Sequence, residues 1–357
     1  MSSNSVNLLE NIPNAAHLGD YSSECAAFDG SACLCAVGKV GVLSFTGEDA
    51  AVFLHNQFST NIKGLKVGEG QHTTYNLPNG RMLATLFVGR EPAKEEDKPP
   101  VFLSVLSYDL AETIQKRLSK YVLRSKVSIE NVSDHFTAFG LCGAKTQELA
   151  GTLAGKSLNL HEVYCHEEDG AKTRAIGLSK SRVLFLVPDD RAPAFWNNGT
   201  RHARPAGKML WERAAILDGI PAIMLATSEK LIPQETNWDI LGGLDFQKGC
   251  YPGQEIIARM RYLGKLKTRL FLARLPDGGE SESIFPGAPL YSPMFGEQSC
   301  GMVVNVAADE NGYVMLVALQ TAAQSGEVFL DLAKNHRGTL MVFAEKARKA
   351  DCGSSPQ

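Results

Sequence analysis

The residues best suited to chemistry form one short stretch, Lys248-Gly-Cys-Tyr-Pro-Gly-Gln-Glu255. It places a thiol, Cys250, in a turn with two glycines and a proline, directly before a predicted helix at Glu255–Arg261. The free N–H groups at the start of that helix and nearby cations such as Arg259 favour the thiolate form of a cysteine. The alternative is a buried cysteine that stabilises a tight turn, and the residues by themselves leave both interpretations open.

Polar residues around Cys250 have predicted roles in the same turn. Gln254 and Glu255 are expected to cap and polarise it, and Lys248 is expected to favour the thiolate. The Cys250 thiol is the predicted catalytic group, and the motif around it comprises Lys248, Gly249, Cys250, Tyr251, Gly253, Gln254 and Glu255.

The other cysteines do not indicate chemistry of their own. The sequence has 8 cysteines but no Cys-x-x-Cys pair and no four ligands at the spacing of a structural zinc site, so no metal is predicted. Cys33 and Cys35 alternate along a predicted strand and share one face, which is typical of core packing. The first residues lack the basic and apolar regions of a signal peptide. We therefore expect a cytoplasmic location and no disulfide framework.

Composition and charge exclude several classes of protein. Apolar residues make up 44% and charged residues 21% of the 357 residues, which is typical of a globular chain with large cores. Lys and Arg number 36 against 39 Asp and Glu, for a net charge of -3. This balance excludes a protein that coats nucleic acid with its whole surface, and it leaves a local basic patch open. The apolar runs are too short to span a bilayer.

The pattern along the chain predicts the elements that position this stretch. Val37–Phe45 alternates as a strand, helical spacing follows from Ala50 to Phe58, and Asn79-Gly80 between two β-rich runs predicts a hairpin. Short strands and a helix between about 127 and 187 indicate an α+β module in the middle of the chain. After Gly264, strands follow one another without helices, which predicts a small β-barrel or a sandwich.

Residues 248–255 also resemble the KGCYxGQE signature of the YgfZ family, the folate-binding relatives of the glycine-cleavage T-protein, an aminomethyltransferase. Trp211–Pro221 is similar to the WExxRIxxGIP segment of that family. Gly47–Gln57 and Pro78–Arg81 fit the same family, so the resemblance covers roughly residues 35 to 345.

This resemblance implies an α+β fold of several subdomains in a cloverleaf, with a ferredoxin-like middle subdomain and a C-terminal β-barrel. We expect a folate-binding core at 12–128 and 207–265, the ferredoxin-like insertion at 129–206, the barrel at 266–346 and a disordered tail at 347–357. The order of elements predicted from the residues agrees with this arrangement but does not by itself predict it.

One departure from the related aminomethyltransferases bears on activity. Those enzymes carry a GGxxDD stretch whose carboxylate supports the folate amine chemistry, whereas residues 80–85 here are Gly-Arg-Met-Leu-Ala-Thr. The acidic pair is replaced at Ala84 and Thr85, which removes general-base help and the stabilisation of a cationic amine. Glycine cleavage is therefore not expected.

The resemblance also indicates which residues would bind the folate. Asp218, at the end of a predicted helix over 209–217, is the candidate acceptor for the amidine edge of the pterin ring. Trp211, Tyr75 and Trp238 are the candidates to stack on the pterin ring. Arg81 and Arg259 are the candidates to contact the carboxylates of the folate. Core packing is the alternative for each aromatic residue, and a solvated position beside Gly219 is the alternative for Asp218.

A basic segment follows the motif, with five cations in eleven residues: Arg259, Arg261, Lys265, Lys267 and Arg269. Such a segment suits the glutamate tail of a folate or RNA phosphate, and a solvated connection between helix and strand is an equally good interpretation.

The sequence thus predicts a folate-binding YgfZ-like protein. The resemblance implies tetrahydrofolate or a folate derivative as cofactor, and support of iron–sulfur cluster assembly or repair and thereby of tRNA modification. The expected partners are folate, iron–sulfur enzymes or assembly factors, and tRNA, with no membrane. Two alternatives stay open: a folate-dependent one-carbon transferase, and a tRNA- or protein-binding adaptor without catalysis.

Overall fold

The computed structural model describes residues 15–92, 99–276 and 284–330, and the backbone of 339–346. The helices are α1 (Tyr21–Gly30), α2 (Ala50–Gln57), α3 (Tyr108–Ser119), α4 (Thr146–Ala154), α5 (Ala192–Gly199), α6 (Lys208–Leu217) and α7 (Gln254–Tyr262). The strands up to residue 188 are β1 (Cys33–Gly38), β2 (Gly41–Thr46), β3 (Gly70–Asn76), β4 (Met82–Arg90), β5 (Val101–Leu106), β6 (Ser128–Asn131), β7 (Phe136–Cys142), β8 (Val163–Glu168), β9 (Ala171–Ser179) and β10 (Arg182–Pro188). They are followed by β11 (Arg204–Ala206), β12 (Thr268–Pro276), β13 (Pro289–Tyr291), β14 (Ser299–Asp309), β15 (Gly312–Gln320), β16 (Val328–Phe329) and β17 (Thr339–Lys346).

The chain divides into two compact units. The first unit comprises Met1–Leu54, Ile62–Gln71 and Phe87–Ala214, and the second comprises His55–Asn61, His72–Leu86 and Ala215–Gln357. The four predicted subdomain boundaries stay predictions. The predicted tail at 347–357 and Cys352 lie outside the described residues.

A six-stranded sheet in the order β11-β1-β7-β10-β9-β8 forms the centre of the first unit. All six residues of β1 are buried, because apolar side chains cover both faces of the strand. Cys33 and Cys35 belong to one apolar cluster, whereas Leu34 and Ala36 belong to another, as the two-residue repeat of a strand requires. The prediction that the two cysteines share a face in the core is confirmed.

A second sheet has the order β3-β4-β5-β2-β6. The prediction of one strand over Val37–Phe45 is wrong, because that segment forms the end of β1 and most of β2 in two different sheets. The chain changes direction at Gly38, whose φ of 81° is the left-handed conformation that glycine tolerates best. Alternation continues across such a turn, so periodicity alone does not separate the two strands.

The second unit contains a closed barrel in the order β12-β15-β14-β13-β16-β17. β12 pairs antiparallel with β15 along its whole length, from Thr268 opposite Gln320 to Pro276 opposite Gly312. Side chains such as Phe271, Leu290 and Val317 fill its interior. The structure therefore confirms the α+β class and a C-terminal barrel, and excludes the sandwich.

The elements predicted around the motif are present. The Asn79-Gly80 turn joins β3 to β4, with the Leu77 N–H donating to the Arg81 carbonyl over 2.8 Å. The predicted helices at 209–217 and 255–261 correspond to α6 and α7. No helix within the described residues is long and apolar enough to cross a membrane. The predicted cytoplasmic location stays a prediction.

Candidate functional site

Cys250 lies in an exposed turn directly before α7. The other described cysteines are buried at positions 25, 33, 35, 142 and 300, and Cys165 is only partly accessible. Within the described part of the chain, Cys250 is thus the one cysteine whose side chain is exposed to solvent. Of the two sequence interpretations, the structure fits the accessible thiol and not the buried one.

Backbone packing fixes the shape of this turn. Gly253 caps α7 with a φ of 83°, and a Cβ atom there would lie 2.5 Å from the carbonyl oxygen of Leu77. Gly80, in the Asn79-Gly80 turn, has a φ of 81°, and a Cβ atom there would lie 3.0 Å from the side chain of Ile256. The motif turn and the hairpin turn therefore pack backbone against backbone, and a side chain at position 253 does not fit.

Lys248 connects the motif to a segment almost two hundred residues earlier in the chain. Its ammonium donates to the carbonyl oxygens of His55, of Phe58 at 2.5 Å and of Thr60 at 3.0 Å. His55 lies in the last turn of α2, where carbonyl groups lack partners within the helix. Burial lowers the pKa of Lys248 to about 8. The structure therefore gives Lys248 a positioning role that the sequence did not predict.

The remaining polar residues of the motif contact the turn or lie at the start of the helix that follows it. The Gln254 amide donates to the Lys248 carbonyl over 3.4 Å. The Lys248 ammonium lies over the ring of Tyr251, 5.0 Å from its centroid. Glu255 is exposed in the first turn of α7, where a carboxylate is favoured by the positive end of the helix dipole.

A buried polar network lies in the same unit, and sequence reasoning missed it. The Ser59 hydroxyl accepts from the Thr74 N–H over 2.9 Å and donates to the Gly243 carbonyl over 2.6 Å. The Asn76 amide donates to the Thr74 hydroxyl over 3.0 Å, and all three side chains are at most 1% exposed. The available signal was β3 itself, where Gln71-His-Thr-Thr-Tyr-Asn76 places mostly polar residues in a strand that the structure buries.

Several polar atoms in this region have no hydrogen-bond partner among the described residues. They are the Asn76 Oδ1, the Gln234 Oε1, the Trp238 Nε1 and the Tyr251 hydroxyl, on residues that are at most 6% exposed. Buried polar atoms in folded proteins are nearly always paired. These four atoms belong to the second unit, and each is a group that a polar ligand could pair.

The predicted aromatic residues divide between the two units. In the second unit, Trp238 packs against Gly243 and lies 5.6 Å from the His72 ring, and Tyr75 meets Phe58 edge-on at 5.8 Å. In the first unit, the Trp211 ring lies under the Arg182 guanidinium at 5.1 Å and covers Gly140. Trp211 thus occupies a core position, the alternative given above, and its predicted stacking on a pterin stays a prediction.

The predicted charged residues have different surroundings. Asp218 is half-buried and directly follows α6. Arg81 donates to the backbone carbonyls of Glu229 and Lys230, so its guanidinium holds that loop. Arg259 is exposed in the last turn of α7. Their predicted folate contacts are not tested by these positions.

The positions at which the acidic pair is replaced lie in strand β4. Ala84 and Thr85 are buried in β4, and the Thr85 hydroxyl accepts from the Ile223 N–H over 2.9 Å. The Ser228 hydroxyl donates to the neighbouring Leu83 carbonyl over 2.8 Å. Position 85 therefore binds the backbone of a neighbouring loop with a neutral hydroxyl.

Comparison with known proteins gives a consistent picture. Residues 15–183 match the GCVT N-terminal domain family. The tRNA-modifying protein YgfZ of Hamiltonella defensa is 25% identical over 339 residues, which cover 88% of this chain and 91% of that protein. A chloroplastic protein of Arabidopsis thaliana, named as a candidate transferase, is 28% identical over 254 residues. That match covers 68% of this chain and only 56% of the plant protein.

A solved structure resembles the whole fold. The glycine cleavage system aminomethyltransferase T from Bartonella henselae matches with a TM-score of 0.74 over 97% of this chain and 98% of that chain. The two sequences are 14% identical, so this likeness concerns the fold alone. It confirms the fold that the sequence resemblance implied.

Proposed function

We propose that this chain is a member of the YgfZ family, which it resembles in sequence and which is related to the glycine-cleavage T-protein, and that it binds a folate and supports iron–sulfur cluster assembly or repair. Cys250 is the working thiol in this proposal, and tRNA modification depends on the protein through the iron–sulfur enzymes that it supports. The observation that carries the proposal is the exposed Cys250 thiol in the same unit as a set of buried, unpaired polar atoms.

The unpaired groups include the kinds of donor and acceptor that a folate would pair with. A pterin ring offers both hydrogen-bond donors and acceptors along its edges, and the buried Trp238 Nε1, Tyr251 hydroxyl and Asn76 Oδ1 offer one donor, one group of either kind and one acceptor. Asp218 would accept from the amidine edge in the bidentate manner of a carboxylate. When bound, a reduced folate supplies a one-carbon carrier or a reductant.

Asp218 directly follows α6 and is half-buried. Its assignment to the pterin rests on the resemblance to the family and on the bidentate acceptor geometry of a carboxylate.

Cys250 is suited to bind an iron–sulfur cluster transiently, during its transfer. Within the described residues, no group of three or more His, Cys, Asp or Glu side chains has the arrangement to hold a metal ion. An exposed thiolate is a soft ligand for iron, and a single one binds a cluster only together with ligands from a partner. We therefore treat the iron–sulfur cluster as cargo and Cys250 as one ligand during its transfer.

The alternative of a one-carbon transferase receives less support. Its amine chemistry needs a carboxylate near the folate, and positions 84 and 85 supply a methyl group and a hydroxyl that already binds Ile223. The relative from Hamiltonella defensa is named as tRNA-modifying, which agrees with an effect on tRNA but does not require direct contact with it.

Complementation in a strain that lacks its own YgfZ-like protein tests the thiol. We expect Cys250→Ala to abolish the recovery of iron–sulfur enzyme activity while the purified variant keeps the urea midpoint of the wild type. Cys165→Ala is the matched control, because it removes a partly buried thiol and should complement fully. Full complementation by Cys250→Ala would show that the thiol is not needed.

Calorimetric titration with tetrahydrofolate tests the pocket separately. We expect saturable binding by the wild type and at least about tenfold weaker binding by Asp218→Ala, because the variant leaves donors of the ligand unpaired. Cys250→Ala should bind as the wild type does. If the wild type does not bind, the folate part of the proposal is wrong and the thiol part stands on its own experiment.

A further inference from the structure

The C-terminal end of α7 exposes apolar side chains that the fold does not use. Tyr262 is 67% exposed and Leu263 is 83% exposed, whereas Ile257 on the same helix is completely buried. The N–H groups of Leu263 and Gly264 both donate to the Arg259 carbonyl, over 2.9 and 3.1 Å. These bonds order the backbone, so the two side chains are held outward.

Four exposed cations surround these two residues: Arg259, Arg261, Lys265 and Lys267. Residues 254–267 contain one acid, Glu255, which gives this segment a charge of +3 in a chain of net charge -3. Arg269, the fifth cation of the basic segment, does not contribute, because it pairs with Asp239 over 2.7 Å and is largely buried. We call residues 259–267 the basic ridge.

One cation of the basic ridge is fixed by an aromatic contact within the same unit. The Arg261 guanidinium lies 3.9 Å from the centroid of the Phe246 ring. A cation–π contact at that distance orients the side chain and leaves its charge exposed. The basic ridge therefore presents a preformed surface, with an apolar tip at Leu263 between positive charges.

The chemistry of the ridge favours a protein over a nucleic acid. Single-stranded RNA binds through phosphate contacts and stacking on aromatic or guanidinium planes. Here Phe246 covers one face of the Arg261 guanidinium, and Tyr262 is the one exposed ring of the ridge. The most exposed side chain, Leu263, is aliphatic and offers no plane for a base to stack on. An acidic segment with an apolar side chain would bury the leucine and pair with the cations at the same time.

We propose that the basic ridge is the docking surface for an acidic, apolar-faced segment of a partner protein. α7 has nine residues, so the ridge lies roughly 13 Å along the helix from the Cys250 turn. A partner docked there would need a segment that spans this distance to bring a metal or sulfur ligand to the thiol. Only this last step rests on the proposed function; the docking surface itself does not.

The test uses the full chain and two labelled probes, measured by fluorescence anisotropy. One probe is a synthetic helical peptide with glutamates on one face and leucines on the other, and the second is an oligouridine RNA of equal charge. We expect the peptide to bind, and Leu263→Ser to weaken it about tenfold, since one buried leucine is lost. K265E/K267E should weaken it about tenfold or more at low salt, with a smaller effect at high salt.

Matched controls come from the first unit. Leu123→Ser removes a leucine that is 88% exposed, and K63E/K66E reverses two exposed lysines; both should bind the peptide as the wild type does. Tetrahydrofolate binding should be the same in Leu263→Ser as in the wild type, which separates this result from a failure of the folate pocket.

Three outcomes would overturn the docking proposal. The peptide does not bind; it binds equally to the ridge variants and the controls; or the RNA binds in a ridge-dependent way and the peptide does not. The third outcome would assign the ridge to nucleic acid. Loss of peptide binding in the ridge variants alone supports the proposal, whether or not the wild type binds tetrahydrofolate.

Discussion

Two regions of the molecule hold cysteines in opposite surroundings. In the first unit, Cys25, Cys33, Cys35 and Cys142 are fully buried in one apolar cluster, with the sulfur atoms of Cys35 and Cys142 3.4 Å apart. In the second unit, Cys250 lies exposed in a turn before a helix.

The chemistry available to the two regions differs accordingly. Burial raises the pKa of the Cys33 thiol to about 12 and that of Cys35 well above its ordinary value, so these thiols stay neutral and act as small apolar side chains. A nucleophile or metal ligand must be an accessible thiolate. The comparison teaches that exposure, and not the number of thiols in a region, identifies the working cysteine.

The largest expected difference is in the rate of alkylation. In a Cys352→Ser background, which removes the cysteine outside the described residues, iodoacetamide should modify Cys250 more than about a thousandfold faster than Cys33 or Cys35. Buried thiols react only after an opening of the fold, and such openings in a core are rare. Mass spectrometry of the digested protein over time measures these rates. Modification of the core thiols at a rate like that of Cys250 would show that the two regions do not differ in the accessibility of their thiols.

The next effect concerns the backbone that shapes the Cys250 turn. We expect Gly253→Ala to destabilise the protein by about 2–4 kcal/mol, because the new methyl group would meet the Leu77 carbonyl and the backbone has a left-handed conformation. Gly249→Ala is the matched control, since a Cβ atom there has only the His55 ring nitrogen nearby, at 3.9 Å. It should change stability by less than about 0.5 kcal/mol. Urea unfolding measures both, and equal effects would contradict the described turn.

A somewhat smaller effect is expected at Lys248. Lys248→Met keeps the length of the side chain but leaves the carbonyls of His55, Phe58 and Thr60 without their shared donor, which should destabilise the protein by about 1–3 kcal/mol. Lys267→Met, at an exposed position, is the control and should be neutral. If Lys248→Met is as stable as the wild type, Lys248 does not anchor the motif.

The last effect is absent at neutral pH and is a dependence of stability on alkaline pH. The folded pKa of Cys33 is about 12 against an ordinary value of 9.0, so the unfolded chain loses this proton first. The contribution of the protonated Cys33 thiol to the free energy of unfolding is complete below about pH 9. It is lost as the pH rises towards 12, by about 1.4 kcal/mol per pH unit. Burial raises the pKa of Cys300 to about 11, which acts in the same direction. The lowered pKa of Lys248, about 8 against an ordinary value of 10.5, acts in the opposite direction between pH 8 and 10.5.

Urea midpoints between pH 8 and 10.5 test this expectation at roughly constant ionic strength. Cys33→Ala should lower stability at neutral pH, and above pH 9 its stability should fall less with rising pH, or rise more, than that of the wild type. Leu34→Ala, a neighbouring buried residue without a titratable group, should lower stability and leave the slope unchanged. The same slope in the wild type and in Cys33→Ala would contradict a raised pKa at Cys33.

Much of the scaffold was predictable because its signals are local. The Asn79-Gly80 turn, the α7 helix and the succession of C-terminal strands each follow from residues close together in sequence. The strand prediction for Val37–Phe45 was wrong because alternation does not mark the turn at Gly38.

The parts of the site that were not predictable depend on distant contacts. Nothing near Lys248 in the sequence identifies Phe58 as its partner, 190 residues away. The Ser59 network was missed for the same reason, since Ser59 reaches Gly243 across 184 residues. Polar residues inside a buried strand signal a network, but they do not reveal which chain segment completes it.

The most direct test of the central claim, that the unpaired buried groups form a folate site, is the tetrahydrofolate titration of Tyr251→Phe. The removed hydroxyl has no partner among the described residues, so its loss should leave the urea midpoint unchanged or slightly higher. Affinity should nevertheless fall about tenfold, because the ligand loses a buried hydrogen bond. Tyr262→Phe, at an exposed position, should change neither quantity. Unchanged affinity in Tyr251→Phe, or lower stability with unchanged affinity, would contradict the account.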